Sequence, residues 1–320
     1  MNGHFIISLD FELFWGVSET RTIDSYKENL SHTREVAERL LIMFSEYDIE
    51  ATWASVGFLF FANKKELGAY VTNYKEVPVY AKGNLNNFEI ISEINEQDSD
   101  FYFAKDLIQK IKHTRGQEVA THTLSHLYTL ETGITNKDFL DDLKSAIAVA
   151  KDENIEIKSI VFPRNQYNDK IISVCKELGI KSYRGNSKLS IYKPSINQGY
   201  SKRLLRLLDS YFNLTGHHSF KLETEGVLLN IPASRFLRPY SKRLSLLENL
   251  KVNRILKEMT YAAKNNLNYH LWWHPHNFGA NMEENFKNLE RIVNHQNDLQ
   301  KKYEFISVNM NNLQKLTNNS

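Results

Sequence analysis

The stretch FIISLDFELFWG, residues 5–16, reads as a core β-strand that runs into two acidic residues. Residues 5–9 are apolar and rich in isoleucine, which is typical of a buried strand. Asp10 and Glu12 follow, separated only by Phe11. Because successive side chains of a strand point to opposite sides, the two carboxylates are expected to face one space and Phe11 the other.

Two carboxylates this close together raise the question of what compensates their charge. Like charges repel, so the arrangement is costly unless something positive lies beside it, and a metal ion would serve. A structural arrangement, in which one acid pairs with a buried arginine and the other caps a loop, is also compatible with this stretch alone.

The rest of the chain alternates between strand and helix patterns. Residues 25–47 place apolar side chains at spacings of three and four, which predicts an amphipathic helix. Further strands are predicted at 51–59, 118–121, 158–162, near 182, 227–231, 269–273 and 304–308, and further helices at 103–113, 137–153, 169–178, 201–212, 247–266 and 284–301. Seven or eight βα units predict a parallel α/β barrel with its active site at the C-terminal ends of the strands.

We expect one domain over residues 1–320, since such a barrel needs about 250 residues or more. Residues 60–101 break the alternation with a mixed polar sequence, which suggests an insertion over the barrel mouth.

The composition excludes several classes of protein. Lysine plus arginine number 40 and aspartate plus glutamate 38, without long blocks of like charge, so no nucleic-acid groove or polybasic membrane anchor is indicated. The only cysteine, Cys175, excludes an intramolecular disulfide. The sequence has no signal-peptide pattern and no segment suited to span a bilayer, so we expect a cytoplasmic protein.

The stretch GQEVATHTLSHLY, residues 116–128, places His122 and His126 four apart directly after a predicted strand. A helical turn there would put both imidazoles on one face, close enough to bind one divalent ion. Together with one carboxylate they would form a three-ligand set that leaves room for water. The alternative is two unrelated surface histidines.

The stretch NYHLWWHPHNFG, residues 268–279, offers a candidate general acid. Strand alternation places His270, Trp272 and His274 on one side, with His274 nearest the mouth. A histidine titrates near neutral pH and can protonate a leaving group, although His276 is a rival for this role. Trp272 is either a core residue or a platform for the apolar face of a sugar ring.

The stretch SIVFPRNQYN, residues 159–168, places Arg164 after a predicted strand. Its guanidinium fork could hold Asp10 ionised and oriented, or it could form an ordinary structural ion pair.

These four stretches together resemble the polysaccharide deacetylase family, also called NodB-like or carbohydrate esterase family 4. SLDFE is similar to the first motif, ATWASVGFL to the second strand, and the segment THTLSH to the His-x-x-Ser-His motif with Ser125 in place. Arg164 and WWHPH follow in the order of the third and last motifs. The first motif reads Asp-Phe-Glu instead of adjacent aspartates, similar to an Asp-x-Glu branch, and Pro163 precedes Arg164 instead of following it.

The resemblance implies a distorted seven-stranded βα barrel that removes an acetyl group, usually N-linked, from a sugar. By this resemblance Asp10 is the catalytic base, and Glu12, His122 and His126 are the ligands of a divalent metal expected to be Zn2+. The resemblance also implies that His274 is the general acid and that Arg164 orients the base. Asp209 is a candidate acidic partner of His274. We assign Trp15, Trp272 and His276 to substrate binding.

The expected substrate is an N-acetylated sugar or glycan precursor in the synthesis of a surface polysaccharide or glycolipid. Two alternatives from other classes remain. One is a glycoside hydrolase on a related barrel, which needs two carboxylates on opposite sides of the bond. The other is a carbohydrate-binding protein without catalysis.

Overall fold

Short parallel strands form one curled sheet in a computed structural model of the chain. The structure describes residues 2–318 except 75, 188, 190, 191, 193–199, 224, 225 and 227. Within these residues the strands are β1 (Phe5–Phe11), β2 (Ala51–Ser55), β3 (Gln117–Thr121), β4 (Ser159–Ile160), β5 (Ser182–Gly185), β6 (Leu229–Pro232), β7 (Arg235–Phe236) and β8 (Tyr269–Trp273). Their order across the sheet is β6-β5-β4-β3-β2-β1-β8-β7.

Helices connect the strands and cover the outside of the sheet. They are α1 (Ile23–Glu46), α2 (Lys64–Thr72), α3 (Lys105–His113), α4 (Asn136–Asp152), α5 (Asp169–Glu177), α6 (Tyr200–Tyr211), α7 (Glu248–Lys264), α8 (Met282–Tyr303) and α9 (Met310–Asn318). No helix among the described residues is both long and apolar enough to cross a membrane.

One extended segment joins the two edges of the sheet. β6 pairs with β5 and β7 pairs with β8, yet only Ala233 and Ser234 separate β6 from β7. The Ala233 amide donates to Gly185 O (2.9 Å) and the Ser234 amide to His270 O (2.9 Å). The two short strands, β6 and β7, therefore share one strand position of the barrel, where the two edges of the sheet meet. The predicted distorted βα barrel is confirmed.

Strand β1 lies between β2 and β8 and shows how its sequence positions the acids. Phe5, Ile7, Leu9 and Phe11 belong to the main hydrophobic cluster, which helices complete on the outer face. The alternate residues face the barrel interior: Ile6 packs in a small cluster with Ala54, Ala120, Val161, Ile231 and Leu313. Ser8 and Asp10 continue this inner row toward the mouth.

Most predicted elements lie within a few residues of their predicted positions, and the exceptions have physical causes. The predicted strand at 51–59 ends at Ser55 because a short 3-10 helix, Gly57–Phe60, follows. The strand expected at 304–308 is reduced to a single bridge between Phe5 and Ser307. Val227, the first residue of another predicted strand, lies outside the described residues. Helix α9 was not predicted.

The predicted insertion packs onto loops at the mouth. It contains α2 and several 3-10 turns, and many of its apolar residues join the main buried cluster. The side-chain amide of Asn87 donates to Trp15 O and Ser125 O, both at 3.0 Å. The Tyr80 hydroxyl accepts from the Tyr128 amide (3.0 Å). These bonds hold the loops that follow β1 and β3.

Candidate active site

Glu12, His122 and His126 meet at the mouth of the barrel. His122 Nε2 lies 3.4 Å and His126 Nε2 lies 3.1 Å from Glu12 Oε2, and all three residues are buried. Ligands of a tetrahedral ion held at 2.0–2.1 Å are about 3.3 Å apart. The spacing and the donor types, two imidazole nitrogens and one carboxylate oxygen, therefore fit a zinc-like divalent ion.

The two histidines come together through an irregular loop, so the predicted helical turn is wrong. Thr123 and His126 have φ angles of 66° and 62°, in the left-handed region that residues other than glycine rarely adopt. The His122 amide still donates to Ser55 O (2.9 Å), which continues the pairing of β3 with β2. The Gly57 amide donates to Thr123 O (2.8 Å). The loop is thus strained but firmly anchored.

A buried carboxylate on α4 fixes this loop from the other side. Asp142 accepts hydrogen bonds from the Leu124 amide (2.6 Å), the Ser125 amide (3.2 Å) and the Ser125 hydroxyl (2.6 Å). Burial raises the pKa of Asp142 to about 6 in spite of these donors. Sequence reasoning missed this residue, although an acid on the apolar face of a predicted helix is a usable signal.

The hydrogen bond of His122 favours one tautomer. Its Nδ1 lies 2.8 Å from Val161 O, so Nδ1 donates to this carbonyl and Nε2 is the ring nitrogen turned toward Glu12. Burial lowers the pKa of His126, which keeps this imidazole neutral as a ligand must be. His126 Nδ1 is buried without a hydrogen-bond partner in the described part of the chain.

Asp10 is held by Arg184, which lies on β5. Arg184 donates from Nη1 to Asp10 Oδ1 (2.5 Å) and from Nη2 to Asp10 Oδ2 (2.8 Å), and both residues are buried. Burial is the largest single influence and would raise the pKa of Asp10, but the Arg184 charge and hydrogen bonds, together with the nearby imidazoles, outweigh it and lower the pKa. Asp10 is therefore a carboxylate at neutral pH.

A chain of hydrogen bonds beneath Asp10 fixes the arginine. Arg184 Nη1 also donates to Ser8 Oγ (3.1 Å), and Ser8 Oγ lies 2.9 Å from His270 Nε2. Burial, with the Arg184 charge second, lowers the pKa of His270 to about 3. His270 is neutral, so Ser8 donates its proton to Nε2 and no second positive charge lies beside Arg184.

The predicted contact between Arg164 and Asp10 is not present. Arg164 pairs with Glu19 and with Glu131 (2.9 Å), and its guanidinium lies 4.2 Å from the centre of the Tyr128 ring. It thus forms the structural ion pair that was the alternative. Arg184 was missed because its strand is short, yet an arginine inside a buried strand requires a carboxylate partner.

His274 and His276 lie across Glu12 from the first two histidines. His274 Nε2 is 3.6 Å from Asp10 Oδ2 and 3.5 Å from Glu12 Oε1, and 23% of its side chain is exposed. His276 Nε2 is 3.9 Å from Glu12 Oε1, and burial lowers the pKa of this histidine to about 3. Glu12, His274 and His276 form a second possible ligand group, although its spacings fit an ion less well.

Comparison with known proteins identifies the family. Residues 22–183 match the family model described as polysaccharide deacetylase. The chain belongs to the polysaccharide deacetylase family. The predicted enzyme class, a carbohydrate deacetylase, is thereby confirmed. The matched range contains His122 and His126, while Asp10, Glu12 and His274 lie outside it. No curated protein matches the chain in sequence.

Solved structures share the fold of this polysaccharide deacetylase family member at low sequence identity. A Mycobacterium smegmatis protein described as a polysaccharide deacetylase has a TM-score of 0.61 at 11% identity, covering 98% of this chain and 90% of its own. A Pseudomonas aeruginosa protein described in the same way has a TM-score of 0.56 at 9% identity, with 98% and 89% covered. An allantoinase has a TM-score of 0.56 at 10% identity, with the same coverage.

Two further predictions for this deacetylase family member need correction. Trp15 has no exposed surface and donates from Nε1 to Tyr102 O (2.7 Å), so it is a core residue that cannot contact a substrate. Asp209 does not contact His274; it accepts from the Tyr192 hydroxyl (2.7 Å) and pairs with Arg235 (3.3 Å). His274 Nδ1 instead lies 3.3 Å from the Asn277 side-chain amide.

Trp272 remains a candidate for substrate contact because it is partly exposed beside His274, with ring centres 5.7 Å apart. One face of its ring is covered by the Arg184 guanidinium, 4.2 Å from the ring centre. Only the rest of the ring is available to a sugar.

Proposed function

We propose that the protein is a metal-dependent deacetylase that hydrolyses an N-acetyl group on a sugar, with an O-acetyl group as the less favoured target. The observation that carries the proposal is the grouping at the mouth. Glu12, His122 and His126 form a ligand set, and the arginine-held carboxylate of Asp10 and the partly exposed His274 lie beside it.

In this proposal Glu12, His122 and His126 hold a divalent ion, expected to be Zn2+. A bound ion of this kind polarises the acetyl carbonyl and lowers the pKa of a water molecule toward about 7. The second oxygen of Glu12 faces His274 and His276, which restrains the carboxylate from that side.

Asp10 acts as the general base that takes a proton from the attacking water. Its low pKa ensures that it is ionised at neutral pH. Arg184 binds both of its oxygens and thus fixes its orientation next to the ligand set. Arg184 takes the orienting role first assigned to Arg164.

His274 acts as the general acid that protonates the departing amine. It has the exposure that contact with a substrate needs, and it lies next to both acids. His276 is unsuited to the role because it is buried and its lowered pKa keeps it neutral, and a neutral imidazole is too weak an acid to protonate the amine. We assign His276 to the support of Glu12.

The substrate that we propose is an N-acetylated sugar or glycan precursor used in making a surface polysaccharide or glycolipid. Trp272, partly exposed beside His274, offers an apolar contact for the sugar ring. The cytoplasmic location predicted from the sequence stays a prediction.

The alternatives have less support. A glycoside hydrolase needs a second carboxylate across the bond, but Asp10 and Glu12 share one strand end, and the residues that follow the other described strands are not acidic. A non-catalytic binding protein would have no need of an ionised, arginine-held carboxylate beside a ligand set.

The test is acetate release by zinc-loaded protein from a panel of N-acetylated nucleotide sugars, glycolipids and oligosaccharides. Asp10→Asn should lower kcat by about 10²–10⁴ while metal content is kept, and His274→Gln should do the same. Glu12→Gln should instead lose the metal by elemental analysis. Asp106→Asn, an exposed acid on α3, is the matched control.

Two outcomes contradict the proposal. One is the absence of acetate release from every member of the panel by metal-loaded protein. The other is release of free reducing sugar instead of acetate, which would favour the glycoside hydrolase.

A further inference from the structure

Helix α6 and the residue that follows it turn four large apolar side chains toward solvent. Leu204, Leu205, Leu208 and Phe212 are 56%, 45%, 38% and 45% exposed. Their spacing of one, four and eight residues places them within about a third of the helix circumference. They form one continuous apolar stripe instead of scattered surface residues.

Two polar residues near the end of the same helix face the protein interior. Asp209 and Ser210 are buried, at 0% and 4% exposure. Asp209 is bound by Arg235 and Tyr192, and Arg235 also pairs with Glu258 (2.7 Å). This buried ion network fixes the rotation of α6, so the outward direction of its leucines is built into the fold.

The start of α7 extends the apolar surface. α7 packs against α6. Leu246, just before α7, is 94% exposed, and Leu250 in its first turn is 41% exposed. We call Leu204, Leu205, Leu208, Phe212, Leu246 and Leu250 the leucine face.

Positive charges border the leucine face without exposed acids among them. Lys202, Arg203, Lys242 and Arg243 are all exposed. Within residues 200–214 and 237–250 the acids are Asp209 and Glu248, and both are buried. The cations come from two segments, so no basic block is visible in the sequence, whose net charge is only +2.

The residues of this surface near the helix starts, Leu204, Leu246 and Leu250, are expected at the end of the barrel that carries the candidate active site. Helices of a βα barrel begin near the C-terminal ends of the strands. The chain reaches α6 from β5, which carries Arg184, and reaches α7 from β7, whose Phe236 ring centre is 5.7 Å from that of His274.

We propose that the leucine face docks on the surface of an anionic lipid bilayer. Exposed leucines bordered by lysine and arginine are the combination that inserts at the boundary of head groups and acyl chains. A symmetric contact with a second copy is disfavoured, because it would bring the same exposed cations together from both sides.

Docking in this orientation sets the barrel mouth next to the bilayer. This inference rests on the proposed function and specifies its substrate class: the acetylated sugar is carried on a lipid whose head group lies at the membrane surface.

The test is flotation of the full chain with vesicles of phosphatidylcholine alone or with added phosphatidylglycerol. We expect binding at least about tenfold tighter to the anionic vesicles, and weaker binding as salt rises. Leu204→Gln with Leu208→Gln should abolish it. Ile42→Gln, 58% exposed on α1, is the matched control and should bind like the original protein.

The leucine variant should keep its circular dichroism spectrum and its acetate release from a soluble acetylated sugar, which separates this proposal from the proposed deacetylation. Equal binding by the leucine variant, no binding to anionic vesicles, or a dimer in light scattering that the leucine variant abolishes would each overturn the docking surface.

Discussion

Replacing Arg184 by glutamine tests whether this arginine, and not Arg164, compensates Asp10. The side chains of Arg184 and Asp10 are 1% and 5% exposed, and two hydrogen bonds of 2.5 and 2.8 Å join them. Glutamine cannot supply the charge, so Asp10 would be left ionised and buried without a partner. Loss of one member of a buried pair costs about 3–5 kcal/mol.

The measurement is urea unfolding of chelator-treated protein, so that metal binding does not add to stability. Asp10→Asn together with Arg184→Gln should recover part of the loss, because no unpaired buried charge then remains. Arg164→Gln is the matched control. Its side chain is 37% exposed, and such pairs contribute about 0–1 kcal/mol.

The pH dependence gives a second signature. In the original protein the folded-state pKa of Asp10 is lowered, so its stabilising contribution is present above the unfolded pKa and is lost as pH falls through the folded pKa. Without Arg184, burial raises this pKa, and stability falls as pH rises through the unfolded value of about 3.9. The gap between the two proteins should therefore widen from about pH 4 upward.

The acid limb of kcat/KM should shift to higher pH in the same variant, since the base is harder to ionise. A loss below 1 kcal/mol for Arg184→Gln, or an equal loss for Arg164→Gln, would refute the reasoning.

Two further predictions concern the support of the site and of the barrel. Asp142→Ala leaves three hydrogen-bond donors of the loop, at Leu124 and Ser125, without their acceptor. The affinity for zinc, measured by chelator competition, should therefore fall about 10–100-fold. An unchanged affinity would show that the loop keeps its conformation without Asp142. Leu313→Ala, at a fully buried position of α9, should lower the free energy of unfolding by about 2–5 kcal/mol, while Ile42→Ala on the surface should have little effect.

The sequence predicts the barrel well because its signals are local. Apolar runs, helical spacing and the alternation of the two predict a parallel barrel, and this prediction does not depend on which side chains lie at the mouth. It also predicts which face of β1 carries the acids, because strand alternation is a geometric rule, and Ser8 and Asp10 do lie on the inner side.

Pairings between distant elements are harder to predict, because they depend on how strands are aligned in space. Arg184 and Arg164 both follow predicted strand positions, and only the structure shows that Arg184 lies in a strand whose inner side faces Asp10. The loop at Thr123 and His126 adopts left-handed backbone angles that no local pattern indicated. The outward leucines of α6 are set by the buried Asp209, a tertiary contact.

The charge balance inside the mouth explains why an apolar strand ends in two acids. Asp10 and Glu12 contribute two negative charges and Arg184 one positive charge, all buried. Burial lowers the pKa of His126 and His276, so these imidazoles do not supply the missing charge. Within the described residues Glu12 faces imidazoles and no lysine or arginine, because the guanidinium of Arg184 is bound to Asp10. An isolated buried carboxylate is costly, and a divalent cation removes that cost while satisfying the imidazoles, so the same ion that the proposed chemistry requires would also stabilise the fold.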